Sequence, residues 1–125
     1  LRLAVIGSRD FNDYILLSME LDIIVQQNNI NTIISGGARG ADYLAKEYAI
    51  NNNLMYKEFP ADWNKFGSSA GFIRNKDIVD DCNYLVAFWD NKSKGTKHSI
   101  ELAYHQNKLL KIIKYNGVEN PEDLF

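Results

Sequence analysis

Ser35-Gly36-Gly37-Ala38-Arg39-Gly40-Ala41-Asp42 joins an apolar run, Ile33-Ile34, to an amphipathic helical pattern that begins near Arg39. The succession of strand, tight turn and helix start is the one in which α/β proteins hold a phosphate. Glycine tolerates positive φ and puts no side chain in a ligand's way, so the diglycine lets backbone N–H groups converge on an anion. The helix behind it adds unpaired N–H groups and the positive end of its dipole. Arg39 adds a planar donor fork suited to phosphate oxygens. Two readings stand for the segment alone: a ligand cradle, and a turn that only permits close packing of strand on helix. It matches neither GxGxxG nor GxxxxGKS/T, which sets the classical dinucleotide and P-loop patterns aside.

Outward from this turn, strands alternate with helices. Leu3-Ala4-Val5-Ile6 is a short buried-strand run broken by Gly7-Ser8-Arg9-Asp10. From Asp13, a candidate cap, the apolar positions Tyr14, Leu17, Leu21, Ile24 and Val25 recur at helical spacing as far as Asn28-Asn29. Thr32 to Ser35 is the second strand, and Ala41, Leu44, Ala45, Tyr48 and Ala49 form the inner stripe of the second helix. Leu54 to Phe59 suits a strand near a sheet edge, terminated by Pro60 and followed by a loop, Ala61 to Gly67. Ser68 or Ser69 is placed to cap a third helix carrying Ala70, Ile73, Ile78, Val79 and Cys82. Tyr84 to Trp89 is apolar almost throughout, as a central parallel strand covered on both faces must be. A polar loop from Asp90 to Thr96, a helix from Lys97 to Gln106 and a strand from Leu109 to Ile113 complete the pattern.

Parallel strands joined by helical crossovers return across a face in the right-handed sense. The expected fold is therefore α/β: a single Rossmann-like, three-layer domain over residues 1–115, with a five-stranded parallel sheet of order 3-2-1-4-5 and helices on both faces. Residues 116–125 are expected as a C-terminal tail or short final turn. Strand order reverses between the first and fourth strands, and every glycine-bearing polar loop falls at that edge.

At this switch point the candidate ligand-binding residues are Gly7, Ser8 and Arg9; Ser35, Gly36, Gly37, Ala38, Arg39, Gly40 and Asp42; Asp62 and Trp63; Arg74 and Asn75; and Asp90, Gly95 and Thr96. Arg74 lies inside the third helix, where an arginine is usually a snorkelling or salt-bridged surface residue, and Thr96 is equally readable as a plain helix cap. Trp89 fits the core better than Trp63, which lies in a loop. The candidate catalytic carboxylates are Asp42, Asp62, Asp90 and Glu101, none assignable from sequence to acid-base spacing. In the first turn of its helix Asp42 would repel a phosphate, so a ribose hydroxyl or Arg39 is its expected partner.

A chain of 125 residues, 46% hydrophobic and 24% charged, fits one core. Its net charge of −2 argues against a general nucleic-acid or membrane-surface binder, so nucleic acid is an unlikely partner and a membrane none. The single cysteine, Cys82, excludes an internal disulfide and reads as a small core residue. With His98 and His105 it forms no zinc pattern, so no metal and no cofactor are expected. No apolar run reaches spanning length and no signal peptide is visible, although the chain lacks an initiator Met; a cytoplasmic setting is the simplest expectation. A homo-oligomer is left open. Abundant Asn, Ile and Lys point to an AT-rich bacterial or phage genome.

Taken in order, Gly7-Ser8-Arg9, Ser35 to Asp42, Ala61-Asp62-Trp63 with Gly67, Ala70-Gly71, Arg74-Asn75, Trp89-Asp90 and Gly95-Thr96 resemble the YspA-like branch of the SLOG superfamily of Rossmann-like nucleotide-binding domains. The resemblance spans nearly the whole chain and implies a domain that binds nucleotides or molecules derived from them. More distantly the chain is similar to SLOG phosphoribohydrolases of the LONELY GUY type, whose signature is PGGxGTxxE with a catalytic arginine on the preceding helix. Arg74 matches that arginine and Gly95-Thr96 the GT, but Asn91, Lys92 and Ser93 replace the PGG and Ser99 replaces the glutamate. Glu101 lies two residues later, on another helical face. The DprA proteins, which bind single-stranded DNA, are another related class that the acidic balance disfavours. The expected function is binding of a small phosphorylated nucleotide; the alternatives are a nucleotide-processing hydrolase of N-glycosidic or phosphate bonds and an interaction module with a vestigial pocket.

Overall fold

The computed structural model describes residues 1–115; the segment 116–125, expected as a tail or short turn, lies outside the described residues. Its strands are β1 (Arg2–Gly7), β2 (Thr32–Ser35), β3 (Met55–Glu58), β4 (Tyr84–Trp89) and β5 (Leu109–Lys114), all paired in parallel in the order β3-β2-β1-β4-β5. The helices are α1 (Tyr14–Asn28), α2 (Ala41–Asn51), α3 (Trp63–Phe66), α4 (Ala70–Asp81) and α5 (Lys94–His105). This is the Rossmann-like three-layer arrangement expected from the alternation of strands and helices.

The pleat explains why both faces are covered. In β1 and β4, Leu3, Val5, Val86 and Phe88 pack with Leu17, Leu21 and Ile24 of α1 and Ala45, Tyr48 and Ala49 of α2. The intervening Ala4, Ile6, Leu85 and Ala87 pack with Ile78 and Val79 of α4 and Ile100 and Ala103 of α5. Successive side chains of a strand face opposite ways, so a central strand must be apolar throughout. Cys82 is buried in the second cluster, and burial pushes its thiol up to about 11, which suits packing rather than nucleophilic chemistry.

Local chemistry sets the helix ends. Asp13 accepts from Leu16 N at 3.0 Å and caps α1, while Asn29 closes it in the left-handed conformation at φ 52°. Two boundaries differ from the sequence expectation. The segment Ala61 to Gly67 holds a helical turn, α3, because Asp62 accepts from Lys65 N at 3.1 Å; a 3₁₀ turn, Gly67–Ser69, then runs directly into α4, so Ser69 makes no capping bond. Helix α5 starts at Lys94 instead of Lys97 because Ser93, not Thr96, is its cap, accepting from Thr96 N at 3.4 Å.

Candidate functional site

The connections after β1 and β4 leave in opposite directions, and between their carboxyl ends lies a recess of about 690 Å³. Gly7, Ser8 and Arg9 line it from β1, Ala38, Arg39 and Asp42 from the glycine-rich turn and α2. Trp63 closes one side, Arg74 and Asn75 come from α4, and Asp90, Gly95 and Thr96 from the β4–α5 connection. Ser35, Gly36, Gly37, Gly40, Asp62 and Glu101 do not line it.

The turn after β2 is occupied by its own chain. One carboxylate oxygen of Asp42, Oδ2, accepts from Gly36 N at 3.2 Å and from Ala38 N at 3.3 Å. Ser35 lies beneath, donating through its hydroxyl to the Asp42 carbonyl at 3.2 Å and sharing a hydrogen bond with the Tyr56 hydroxyl at 2.6 Å. The backbone donors expected to meet a phosphate are therefore already satisfied in part by a carboxylate. A methyl group on Gly36 would overlap Arg74 Nη1 and come within 2.9 Å of Asp42 Oδ2, so this position excludes a side chain for internal packing. Gly40, at φ 81°, precedes α2 with its Cα against the Ser8 carbonyl.

The charge partner of Asp42 is Arg74, not Arg39. Arg74 Nη1 donates to the Gly36 carbonyl at 2.9 Å and Nε to Asn75 Oδ1 at 3.1 Å, so the helix α4 arginine is a half-buried strut under the turn and not a surface residue. Burial pushes the Asp42 carboxyl up to about 6, against the pull of Arg74 and the two N–H bonds and with Glu58 adding to the rise. Burial also lowers Arg74 from the ordinary arginine value; Asp42 opposes this and the positive charge of Arg9 reinforces it. Arg9 and Arg39 are exposed, and among the described residues neither forms an ion pair. Three guanidinium groups thus line one recess, with the reluctantly ionised Asp42 beside Arg74 and with Asp10 and Asp90 on the same lining.

The opposite wall is a hydrogen-bonded framework. Asp90 Oδ1 accepts from Lys92 N and Ser93 N, each at 2.8 Å, and Asp90 N donates to Ser8 Oγ at 3.2 Å, tying β4 to β1. Partial burial opposes ionisation of Asp90, yet the Ser93 and Lys92 N–H groups and the Ser8 hydroxyl outweigh it and hold the carboxyl below its ordinary value. Asn75 Nδ2 donates to the Gly95 carbonyl at 3.2 Å and lies 3.3 Å from His98 Nδ1, which joins α4 to the start of α5.

Trp63 is 53% exposed and presents its indole to the recess, whereas Trp89 is half-buried and donates from Nε1 to the Ser93 carbonyl at 3.0 Å. Phe72, which the sequence reading passed over, also lines the recess; it is 50% exposed and meets His98 edge-on at 4.7 Å. Its signal was available: a large aromatic one position off the buried stripe of an amphipathic helix that starts at the switch point. Asp62 is spent on the cap of α3, and Glu101 pairs with Lys97 at 4.0 Å on the exposed side of α5. Among the described residues no three His, Cys, Asp or Glu side chains group as metal ligands, and no helix is long and apolar enough to cross a membrane.

Comparison with known proteins agrees with this architecture. The fold resembles that of a DNA processing protein A from Helicobacter pylori, described by its single-stranded DNA binding mode, with a TM-score of 0.64 and 22% identity over 93% of this chain and 66% of the other. A "Gene 61 protein" of Mycobacterium phage D29 is 34% identical over an alignment of 77 residues that covers 57% of this chain and 62% of that protein. The chain spans less than two thirds of the length of either. The first similarity corrects the exclusion of nucleic acid: a fold shared with a single-stranded-DNA binder leaves a nucleic-acid partner open. Net charge is a sum over the whole surface and does not describe how charges are placed at a recess where Arg9, Arg39 and Arg74 stand with Asp10, Asp42 and Asp90. Residues 1–66 match the model of the YspA, cpYpsA-related SLOG family, and the chain belongs to that family.

Proposed function

We propose that this chain binds a small phosphorylated nucleotide, or a molecule derived from one, in the recess between β1 and β4. The observation that carries this reading is the gathering of Arg9, Arg39 and Arg74 around one recess that also holds the exposed rings of Trp63 and Phe72. Among the described residues Arg9 and Arg39 form no ion pair, so their donors stay available to an anion, and an aromatic face beside them suits a base.

Of the four carboxylates expected from the sequence, Asp62 and Glu101 lie outside the recess, Asp42 is buried under the turn it satisfies, and Asp90 holds two backbone N–H groups through Oδ1. Binding is therefore the first reading, and a hydrolytic one would need Asp90 Oδ2 or Asp10, which also lines the recess. A water-activating base needs a free lone pair within reach of the reacting atom. A second reading, favoured by the similarity to the H. pylori protein, places a nucleotide of a single-stranded nucleic acid in the same recess.

Thermal unfolding with nucleoside mono-, di- and triphosphates, ADP-ribose, cyclic nucleotides and a short single-stranded oligonucleotide tests both. A ligand at about 100-fold its dissociation constant adds roughly 2.7 kcal/mol to stability. Arg39→Ala, which removes an exposed and unpaired guanidinium, is expected to weaken the best ligand about 10- to 100-fold, the value of a charge-assisted hydrogen bond. No stabilisation by any of these compounds refutes the proposal, and equal affinity in the variant refutes the placement of the phosphate.

A further inference from the structure

A second recess of about 390 Å³ adjoins the first, and Arg9, Ala38, Arg39, Trp63 and Arg74 line both. All three clustered arginines therefore stand where the two recesses meet. The residues particular to each recess differ in chemistry. The first carries the amide of Asn75, the hydroxyls of Ser93, Thr96 and Ser99 and the carboxylates of Asp10, Asp42 and Asp90 beside the ring of Phe72, so it suits the hydroxyl and base edges of a nucleoside and not its phosphate. The second adds Gly36, Gly37, Pro60 and Ala61, none with a polar side chain.

We infer that the ligand has two nucleoside-like units joined through phosphate, with the phosphate at the shared arginines and one unit in each recess. The inference rests on the phosphate-binding reading above and names its ligand class. Asp42 already takes the N–H groups of Gly36 and Ala38, so part of the turn's backbone is spent on its own chain. The charged groups that meet a phosphate are the guanidinium side chains, and those lie at the junction. A mononucleotide anchored there fills one recess and leaves the other to water. A second unit linked to the same phosphate enters the other at little further entropic cost, because it is already tethered. Its recess offers flat apolar surface, bare glycine backbone and the half-exposed Trp63, so it is held by stacking and shape with little preference for base. The unit in the first recess, facing amide and hydroxyl groups, is the one recognised by hydrogen bonds.

The test is calorimetric titration with adenosine, guanosine, cytidine and uridine monophosphates and with their pyrophosphate-bridged and phosphodiester-linked homodinucleotides. For the preferred base, a dinucleotide is expected to bind roughly 5- to 100-fold more tightly than the mononucleotide, the range of one additional stacked base. The two linkages separate a free dinucleotide from a step of single-stranded nucleic acid as the source. Ala61→Phe, and the milder Ala61→Leu, fill only the second recess; each is expected to abolish the dinucleotide's advantage while leaving mononucleotide affinity unchanged. Mononucleotide binding without any gain from the second unit overturns this inference and leaves the proposed function standing. An advantage that survives both Ala61 variants overturns the assignment of the second recess, and failure of every phosphorylated ligand overturns both readings together.

Discussion

Replacing Asp42 by Asn isolates the energetic cost of the buried carboxylate under the glycine-rich turn. The amide oxygen of Asn accepts the same two bonds that Asp42 Oδ2 accepts from Gly36 N and Ala38 N, so shape and backbone contacts persist while the ionisable charge is removed. Burial lifts the carboxyl from 3.8 to about 6 in the folded chain. At about 1.36 kcal/mol for each pH unit, ionising Asp42 in the native state at pH 7 then costs on the order of 3 kcal/mol relative to the unfolded chain. The sign follows from proton counting. Between pH 3.8 and about 6 the folded state holds the proton that the unfolded state has released, so stability falls as pH rises through that window and levels off above it. Carboxylates distant from the turn titrate in the same range and cancel in the difference between wild type and Asp42→Asn, whereas Glu58, coupled to Asp42, contributes to it. Urea unfolding of both proteins from about pH 4 to pH 7.5 should show the wild type losing on the order of 3 kcal/mol relative to the variant, most of it below about pH 6.5. A difference that stays flat, or grows in the wild type's favour as pH rises, refutes the reasoning: Arg74 and the two N–H bonds would then outweigh burial.

Gly36→Ala sets a methyl group on Arg74 Nη1 and near Asp42, and is expected to destabilise the fold by roughly 1–3 kcal/mol in urea unfolding, as overpacking does. An unchanged midpoint means that the strut under the turn moves freely aside. Trp63→Ala should cost about 1–3 kcal/mol of ligand affinity if a base stacks on the indole, with unchanged unfolding because the side chain is 53% exposed. Retained ligand quenching of tryptophan fluorescence in that variant would assign the contact to Trp89 instead. Asp62→Asn and Glu101→Gln should leave ligand affinity within twofold of wild type, roughly the ±0.5 kcal/mol ordinary for surface changes; a larger loss by titration would bring either carboxylate back to the site.

Periodicity made the sheet legible because it is a local property: the alternating faces of β1 and β4, and the stripes of α1 and α2, are written in consecutive residues and survive any tertiary context. The glycine-rich turn was legible as a turn for the same reason. Its chemistry was not, because an anion-binding turn and a turn filled by its own carboxylate share one signature: a strand, glycines with a left-handed φ, and a helix with an acid in its first turn. What separates them is a contact through space. From the chain alone the nearest cation to Asp42 is Arg39, yet the α3–α4 connection brings Arg74 beneath the turn, where it bonds the Gly36 carbonyl, and Arg39 is exposed and forms no ion pair among the described residues. The same displacement explains why net charge misled. A sum of −2 says nothing of placement: Arg9, Arg39 and Arg74 share one recess with Asp10, Asp42 and Asp90, and of those acids Asp42 is buried and Asp90 is tied to backbone N–H groups. An acid in the first helical turn after such glycines takes part of the backbone N–H capacity that an anion would use, here the N–H groups of Gly36 and Ala38. The proposed two-unit ligand rests instead on the position of three guanidiniums at the junction of two recesses.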